Sequence, residues 1–118
     1  MTTPNAPTIA ELAARQLDAY NAGDLDAFVA CYHPDVVVQW GAEVEAEGRA
    51  ALRERYADLF ARGGFGAAVP TRVEEGRHCV DHEEWWRIDP ETGERSGGRL
   101  LVHFTERDGL IGHVHFFD

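Results

Sequence analysis

The sequence predicts an α+β fold, with three helices packed in the concave face of a strongly curved antiparallel or mixed sheet. Three observations carry that expectation. Apolar residues recur at helical spacing in three stretches before residue 62, long strand-like runs dominate after residue 69, and Gly, Pro and Asp clusters separate the runs. At 118 residues the chain suits one domain with one hydrophobic core.

Residues 1–7, "MTTPNAP", carry two prolines and read as a flexible arm, leaving 8–118 as the domain. In "TIAE", Thr8 is placed to cap a helix and Glu11 to complete a capping box. Ile9, Leu12, Ala13, Leu17 and Tyr20 then fall on one helical face. Asn21 and Gly23 suit its C-terminal turn, and Asp24 caps a second helix through Leu25, Phe28, Val29 and Tyr32, stopped by Pro34. "DVVVQW" (Asp35–Trp40) is β-branched and aromatic, hence a strand. "GAEVEAEG" follows as a second strand or a loop. From Arg49 to about Ala61 the spacing predicts a third helix with Leu52, Tyr56, Leu59 and Phe60 inward. Four strands are expected over about Val69–Glu75, Arg77–Ile88, Arg99–Glu106 and Leu110–Phe117, parted by Gly76, "DPETGERSGG" and "RDG".

The composition excludes several classes of function. Hydrophobic residues at 44% and charged residues at 27% describe a globular chain. A formal net charge of −10 argues against nucleic acid or an anionic membrane as a partner. No apolar run approaches a membrane span, and the N-terminus lacks the pattern of a signal peptide, so a cytoplasmic protein is expected. Cys31 and Cys79 have neither metal-type nor redox-type spacing and read as buried free thiols.

The candidate chemistry lies in two strands. Along Arg77–Ile88, one parity gives His78, Val80, His82, Glu84, Trp86 and Ile88; the other gives Arg77, Cys79, Asp81, Glu83, Trp85 and Arg87. The first set is the more apolar and is expected to face the core, bringing His82 and Glu84 inside together. There they either satisfy one another or form an acid–base pair tuned near neutral pH. In the closing "HVHFFD", His113, His115 and Phe117 share a strand face that suits a catalytic pocket, a metal site or a dimer interface. A His-x-His pair can ligate zinc or iron, but the sequence fixes no fourth ligand, and no metal is assigned. His33 and His103 read as structural or surface residues. Neither a nucleophile elbow nor a phosphate-binding loop is present.

"YNAGDLDAFVACYHPDVVVQ", "GRAALRERYADLF" and "RDGLIGHVHFFD" together resemble the superfamily of nuclear transport factor 2, ketosteroid isomerase and SnoaL-like polyketide cyclases. The resemblance runs from about Thr8 to Asp118. It implies a cystatin-like cone, in which a bent sheet wraps around the helices and leaves a deep apolar pocket, and a homodimer formed through the outer sheet face. Tyr56 matches a pocket tyrosine of the isomerases. Their general-base aspartate falls on Trp40, their oxyanion tyrosine on Gln16 and their protonated aspartate near Val102, so that catalytic set is absent. In the SnoaL-like cyclases and limonene-epoxide hydrolases the catalytic aspartate of the last strand falls on His115. The hydrolases' arginine and aspartate on the middle strand have His82 and Glu84 as nearest equivalents, while their first-strand tyrosine and asparagine become Val38 and Trp40.

The resulting expectation is a cofactor-free lyase, cyclase or isomerase that moves protons on a small hydrophobic or aromatic substrate. His115 is the base, Glu84 its partner, and His82, His113 and Gln16 are hydrogen-bonding groups. Val38, Trp40, Tyr56, Trp86, Val102 or Phe104, and Phe117 line the pocket. The alternative is a non-catalytic ligand-binding or dimerisation module.

Overall fold

The computed structural model describes residues 6–118, so most of the arm expected over 1–7 lies outside the described residues. Helix α1 spans Ile9–Ala22. Thr8 Oγ1 accepts from the Glu11 amide at 3.1 Å, as the capping pattern requires. Gly23 closes the helix at φ 70°, a left-handed conformation that glycine reaches without a Cβ clash, and its N–H bonds back to Ala19 and Tyr20. Asp24 then caps α2, Leu25–Val29, through the Ala27 amide at 3.1 Å.

Helix α2 is shorter than its apolar spacing suggests, because Tyr32 already begins strand β1, Tyr32–Trp40. Pro34 therefore sits inside a strand. Lacking an N–H, it falls where the register with β6 breaks between Tyr32 and Val37. "EVEAE" is strand β2, Glu43–Glu47, and α3 spans Arg49–Arg62. Strands β3 (Phe65–Glu75), β4 (His78–Ile88), β5 (Arg95–Arg107) and β6 (Leu110–Phe117) complete the chain. Two further strands start earlier than expected. Strand β3 absorbs Pro70 at a register shift between Ala68 and Thr71. Strand β5 begins at Arg95 because Gly97 and Gly98 pair with Trp86 and Trp85, and a Cβ on Gly98 would stand 3.1 Å from the Trp85 ring.

The six strands form one open mixed sheet, in the order β2-β1-β6-β5-β4-β3. Only the β1–β6 pairing is parallel. The three helices cover one face, and the core between them is built from Ile9, Leu12, Phe28, Val36, Val38, Leu52, Val102, Phe104, Ile111 and Val114. Among the described residues, no helix is long and apolar enough to cross a membrane. Both cysteines are free and buried.

The expected parity of β4 is reversed. Cys79 (0% exposed) and Asp81 (1% exposed) point to the helices, with Glu83, Trp85 and Arg87 following on the same face. His78, Val80, His82, Glu84, Trp86 and Ile88 point outward. The physical reason is a buried ion pair. Arg72 from β3 donates Nε and Nη2 to the two Asp81 carboxylate oxygens at 2.7 and 2.9 Å, which satisfies the charge inside. The outer face, meanwhile, is itself apolar, so hydrophobicity did not distinguish inside from outside.

Candidate active site

The helices and the concave face of the sheet enclose a cavity of about 560 Å³, within the usual range of small-molecule sites. Helix α1 contributes Gln16, Leu17 and Tyr20, α2 contributes Phe28, and α3 contributes Arg55, Tyr56 and Leu59. The sheet supplies Tyr32 and Trp40, then Glu83, Trp85 and Arg87, and the inward residues of β5 and β6. One flank is a cluster centred on Phe28, whose ring lies 5.1 Å from Tyr32, 5.0 Å from Tyr56 and 5.3 Å from Phe60. On another flank Trp40 stacks on Phe116, centroids 5.2 Å apart.

Into this aromatic enclosure β4 projects one carboxyl group, Glu83. Burial raises its pKa, the neighbouring Asp81 carboxylate raises it further, and the Arg87 guanidinium opposes both, leaving it at about 7. Three phenols stand within reach of its charge. Burial holds Tyr20, Tyr32 and Tyr56 above the ordinary tyrosine range, and the Glu83 charge adds to the shift in each. Tyr32 donates to Gln16 Oε1 at 3.1 Å, and Gln16 Nε2 donates to the Ala13 carbonyl at 3.0 Å, so the Tyr32 hydroxyl is committed. Tyr56 lines the cavity and makes no side-chain hydrogen bond among the described residues. The thiols are inert by comparison, with Cys79 pushed up to about 12 by burial and by Asp81.

Of the residues expected at the site, Gln16, Trp40, Tyr56, Val102 and Phe104 line the cavity. Val38 shares their face but is sealed in the core. His115, Glu84, His82, His113, Trp86 and Phe117 all stand on the opposite face of the sheet. His115 Nε2 lies 2.7 Å from the Gly41 carbonyl, and His113 Nε2 lies 3.1 Å from Gln39 Oε1. Glu84 is ion-paired with Arg99 at 3.2 Å, and Trp86 packs over Gly66 with Arg95 5.2 Å from its ring. His115 and Glu84 lie on strands separated by β5 and are not brought together. Among the described residues, no three His, Cys, Asp or Glu side chains are grouped to hold a metal ion. Glu83, Trp85 and Arg87 are the residues that parity misassigned. The signal that identifies them is Cys79: free cysteine is among the most buried residue types, and it shares their parity.

A bent sheet wrapped around three helices, with a cavity between them, is the architecture of the cone-shaped domains. The SnoaL-like domain family model matches residues 13–114, and the chain belongs to that family. No curated protein sequence matches the chain significantly. Among solved structures, an uncharacterized cystatin-fold protein from Novosphingobium aromaticivorans superposes with a TM-score of 0.85 at 22% identity, over 95% of this chain and 99% of that one. The Δ5-3-ketosteroid isomerase from Mycobacterium sp. gives 0.84 at 16% identity, over 93% and 92%. A putative SnoaL-like polyketide cyclase from Jannaschia sp. gives 0.76 at 19% identity, over 99% and 89%. At these identities the likeness establishes the cystatin-like cone and leaves the chemistry to the residues.

Proposed function

We propose that the protein is an acid–base catalyst of the lyase, cyclase or isomerase type. It acts on a small, flat, enolisable carbonyl compound, with Glu83 as the base. The observation that carries this reading is the position of Glu83, a lone carboxyl group on the cavity wall ringed by Tyr20, Tyr32 and Tyr56. As a carboxylate it takes a proton from a carbon next to the substrate carbonyl. Tyr56, held neutral by burial, donates to the oxygen on which charge develops. The conjugate acid of Glu83 then returns the proton to another carbon or to a leaving group. Trp40, Phe116 and Trp85 give flat apolar contacts that hold the ring system and keep water away from the carboxyl. The expected base, His115, is replaced in this role because its ring has no access to the cavity. The test is proton exchange of 2-tetralone, a planar ketone with acidic α-protons, in deuterated buffer by NMR. The wild type should accelerate exchange and Glu83→Gln should lose it by about a hundredfold or more. Undiminished exchange in the variant would exclude Glu83.

A second property is favoured by a separate observation. We infer that the outer sheet face associates with a second copy of the chain. All five of the large hydrophobic residues that are most exposed, Val44, Val73, Ile88, Leu101 and Phe117, stand on this face. At the centre of the face, across outward positions 78–88, 95–105 and 113–117, there is one carboxylate, Glu84, already paired with Arg99, while Glu75 and Glu47 stand outward on the flanking strands β3 and β2. With a net charge of −10, two copies repel elsewhere, so this acid-poor apolar face is where they can meet.

A further inference from the structure

We propose that the substrate carries a carboxylate, and that Arg87 at the mouth of the cavity is the group that anchors it. This rests on the reading of Glu83 as base and adds to it the class and orientation of the ligand. Arg87 is the last inward residue of β4 and lies opposite Ser96 of β5. Both residues line the main cavity and also a smaller adjoining recess of about 260 Å³.

Acidic residues outnumber Lys and Arg by 21 to 11 in this chain, and arginines accordingly find carboxylates. Arg55, the other guanidinium lining the cavity, is paired with Glu45 at 3.2 Å, and Arg72 holds Asp81. Arg87 forms no ion pair among the described residues. Its Nη1 donates to the Trp86 carbonyl at 3.0 Å and the guanidinium also hydrogen-bonds the Tyr20 phenol; neither partner is a carboxylate, and the remaining N–H groups of its five are left for a ligand. Glu83 feels its field without pairing with it. Nor is the guanidinium loose: it lies 5.2 Å from the centre of the Trp85 ring, itself packed over Gly98. A fixed, half-buried fork with free donors matches the two oxygens of a carboxylate. Arg62 adds a second positive charge in the recess, and Asp89 there, whose Oδ1 accepts from the amides of Glu91 and Thr92 at 2.8 and 3.0 Å, stays ionised and offsets one of the two.

The strand sets the length of the ligand. Glu83 and Arg87 are four residues apart on one face, about 13 Å between their backbones. Side chains shorten that span, but the reacting carbon and the carboxylate must still lie at opposite ends of the molecule. A bicyclic or larger aromatic acid meets this condition, whereas a small keto acid with both groups adjacent does not.

The experiment compares 2-naphthoate with 2-naphthamide, which has nearly the same shape without the charge. Binding is read by quenching of tryptophan fluorescence in wild type, Arg87→Met, Arg87→Lys and Glu83→Gln, with melting curves to confirm folding. The wild type should favour the acid by about tenfold, the worth of a charge-assisted hydrogen-bonded pair. R87M should bind both probes alike. R87K, which keeps the charge and loses the fork, should weaken the acid without weakening the amide. Equal affinities in the wild type, a preference surviving in R87M, or no binding of naphthoate at about 1 mM would each overturn the anchor. Should R87M not fold, the wild-type ratio and R87K decide. E83Q separates the two claims: it should lose exchange of 2-tetralone and keep the preference for the acid. Lost exchange with an R87M preference intact removes the anchor alone, and retained exchange in E83Q removes the base alone.

Discussion

A carboxyl group surrounded by phenols and indoles holds its proton to higher pH than one in water, because the ion has lost solvation that the neutral acid barely needed. Glu83 is in that position, and two consequences follow from its value of about 7. Only the ionised form can accept a proton, so kcat/KM should rise as pH increases through about 7 and then level off. Stability should move the other way. The folded value lies above the ordinary value of 4.5, so between the two the folded state holds a proton that the unfolded chain has released. Folding free energy is therefore lost as pH rises across that window and stays reduced above it. Glu83→Gln should flatten this part of the profile and make the protein more stable at pH 8 by about 1–3 kcal/mol, after allowance for partial exposure. Chemical denaturation of both proteins at pH 5 and pH 8 measures the effect. An activity-dead variant that is no more stable at pH 8 would contradict the assignment.

Strand β4 is the element on which the site depends, and there the sequence was hardest to read. Its two faces carry nearly balanced mixtures of charge and aromatic surface: Asp81, Glu83, Trp85 and Arg87 on one, His82, Glu84, Trp86 and Ile88 on the other. Parity arguments work when one face is wet and one is dry. Here the inner face borders a cavity and a buried ion pair, and the outer face is apolar enough to seek a cover. Apolar parity fails for both reasons together, whereas His115 was placed in the site by the family resemblance, which aligns positions and leaves the face of the last strand undetermined. The local signals were more dependable. Thr8 and Asp24 cap where their side chains predict, and Gly23 ends α1. The Arg72–Asp81 pair also makes an asymmetric prediction. Arg72→Met strands a carboxylate at 1% exposure and should cost about 3–5 kcal/mol. Asp81→Asn leaves a guanidinium at 24% exposure, which can turn toward water, and should cost less. Equal losses in denaturant melts would show that the pair is not what fixes the parity of β4.

At the scale of the molecule, the cone was legible because it depends on element order and type, three amphipathic helices followed by long strands, and not on which parity faces in. The outer face is where the histidines collect. His78 Nδ1 and His103 Nε2 are 3.0 Å apart, and the rings of His113 and His115 are 5.6 Å apart. Burial lowers the pKa of His103, with His78, His113 and His115 adding to it; burial and then His115 do the same to His113. Arg95 and Arg99 share the face, Glu84 is paired with Arg99, and Glu75 stands across from His78. Protonation of His103, His113 and His115, whose cross-strand partners on β5 and β6 include no carboxylate, would therefore add positive charge to both copies of a self-associated pair. Light scattering after size exclusion should find a dimer at pH 7.5 that dissociates below about pH 6. Leu101→Glu or Phe117→Glu should give a monomer at either pH, and a dimer in those variants would place the contact elsewhere.

Catalytic base, pH profile and stability shift all depend on the ionisation of one buried carboxyl, Glu83. The most direct measurement is a carbon-13 NMR titration of the glutamate side-chain carboxyls, with Glu83→Gln identifying the resonance. A midpoint near 7 for that one carboxyl, among others titrating in the ordinary carboxylate range, is the predicted result. A Glu83 signal that titrates with the rest, near 4, would mean that the cavity does not hold the proton and that the base lies elsewhere.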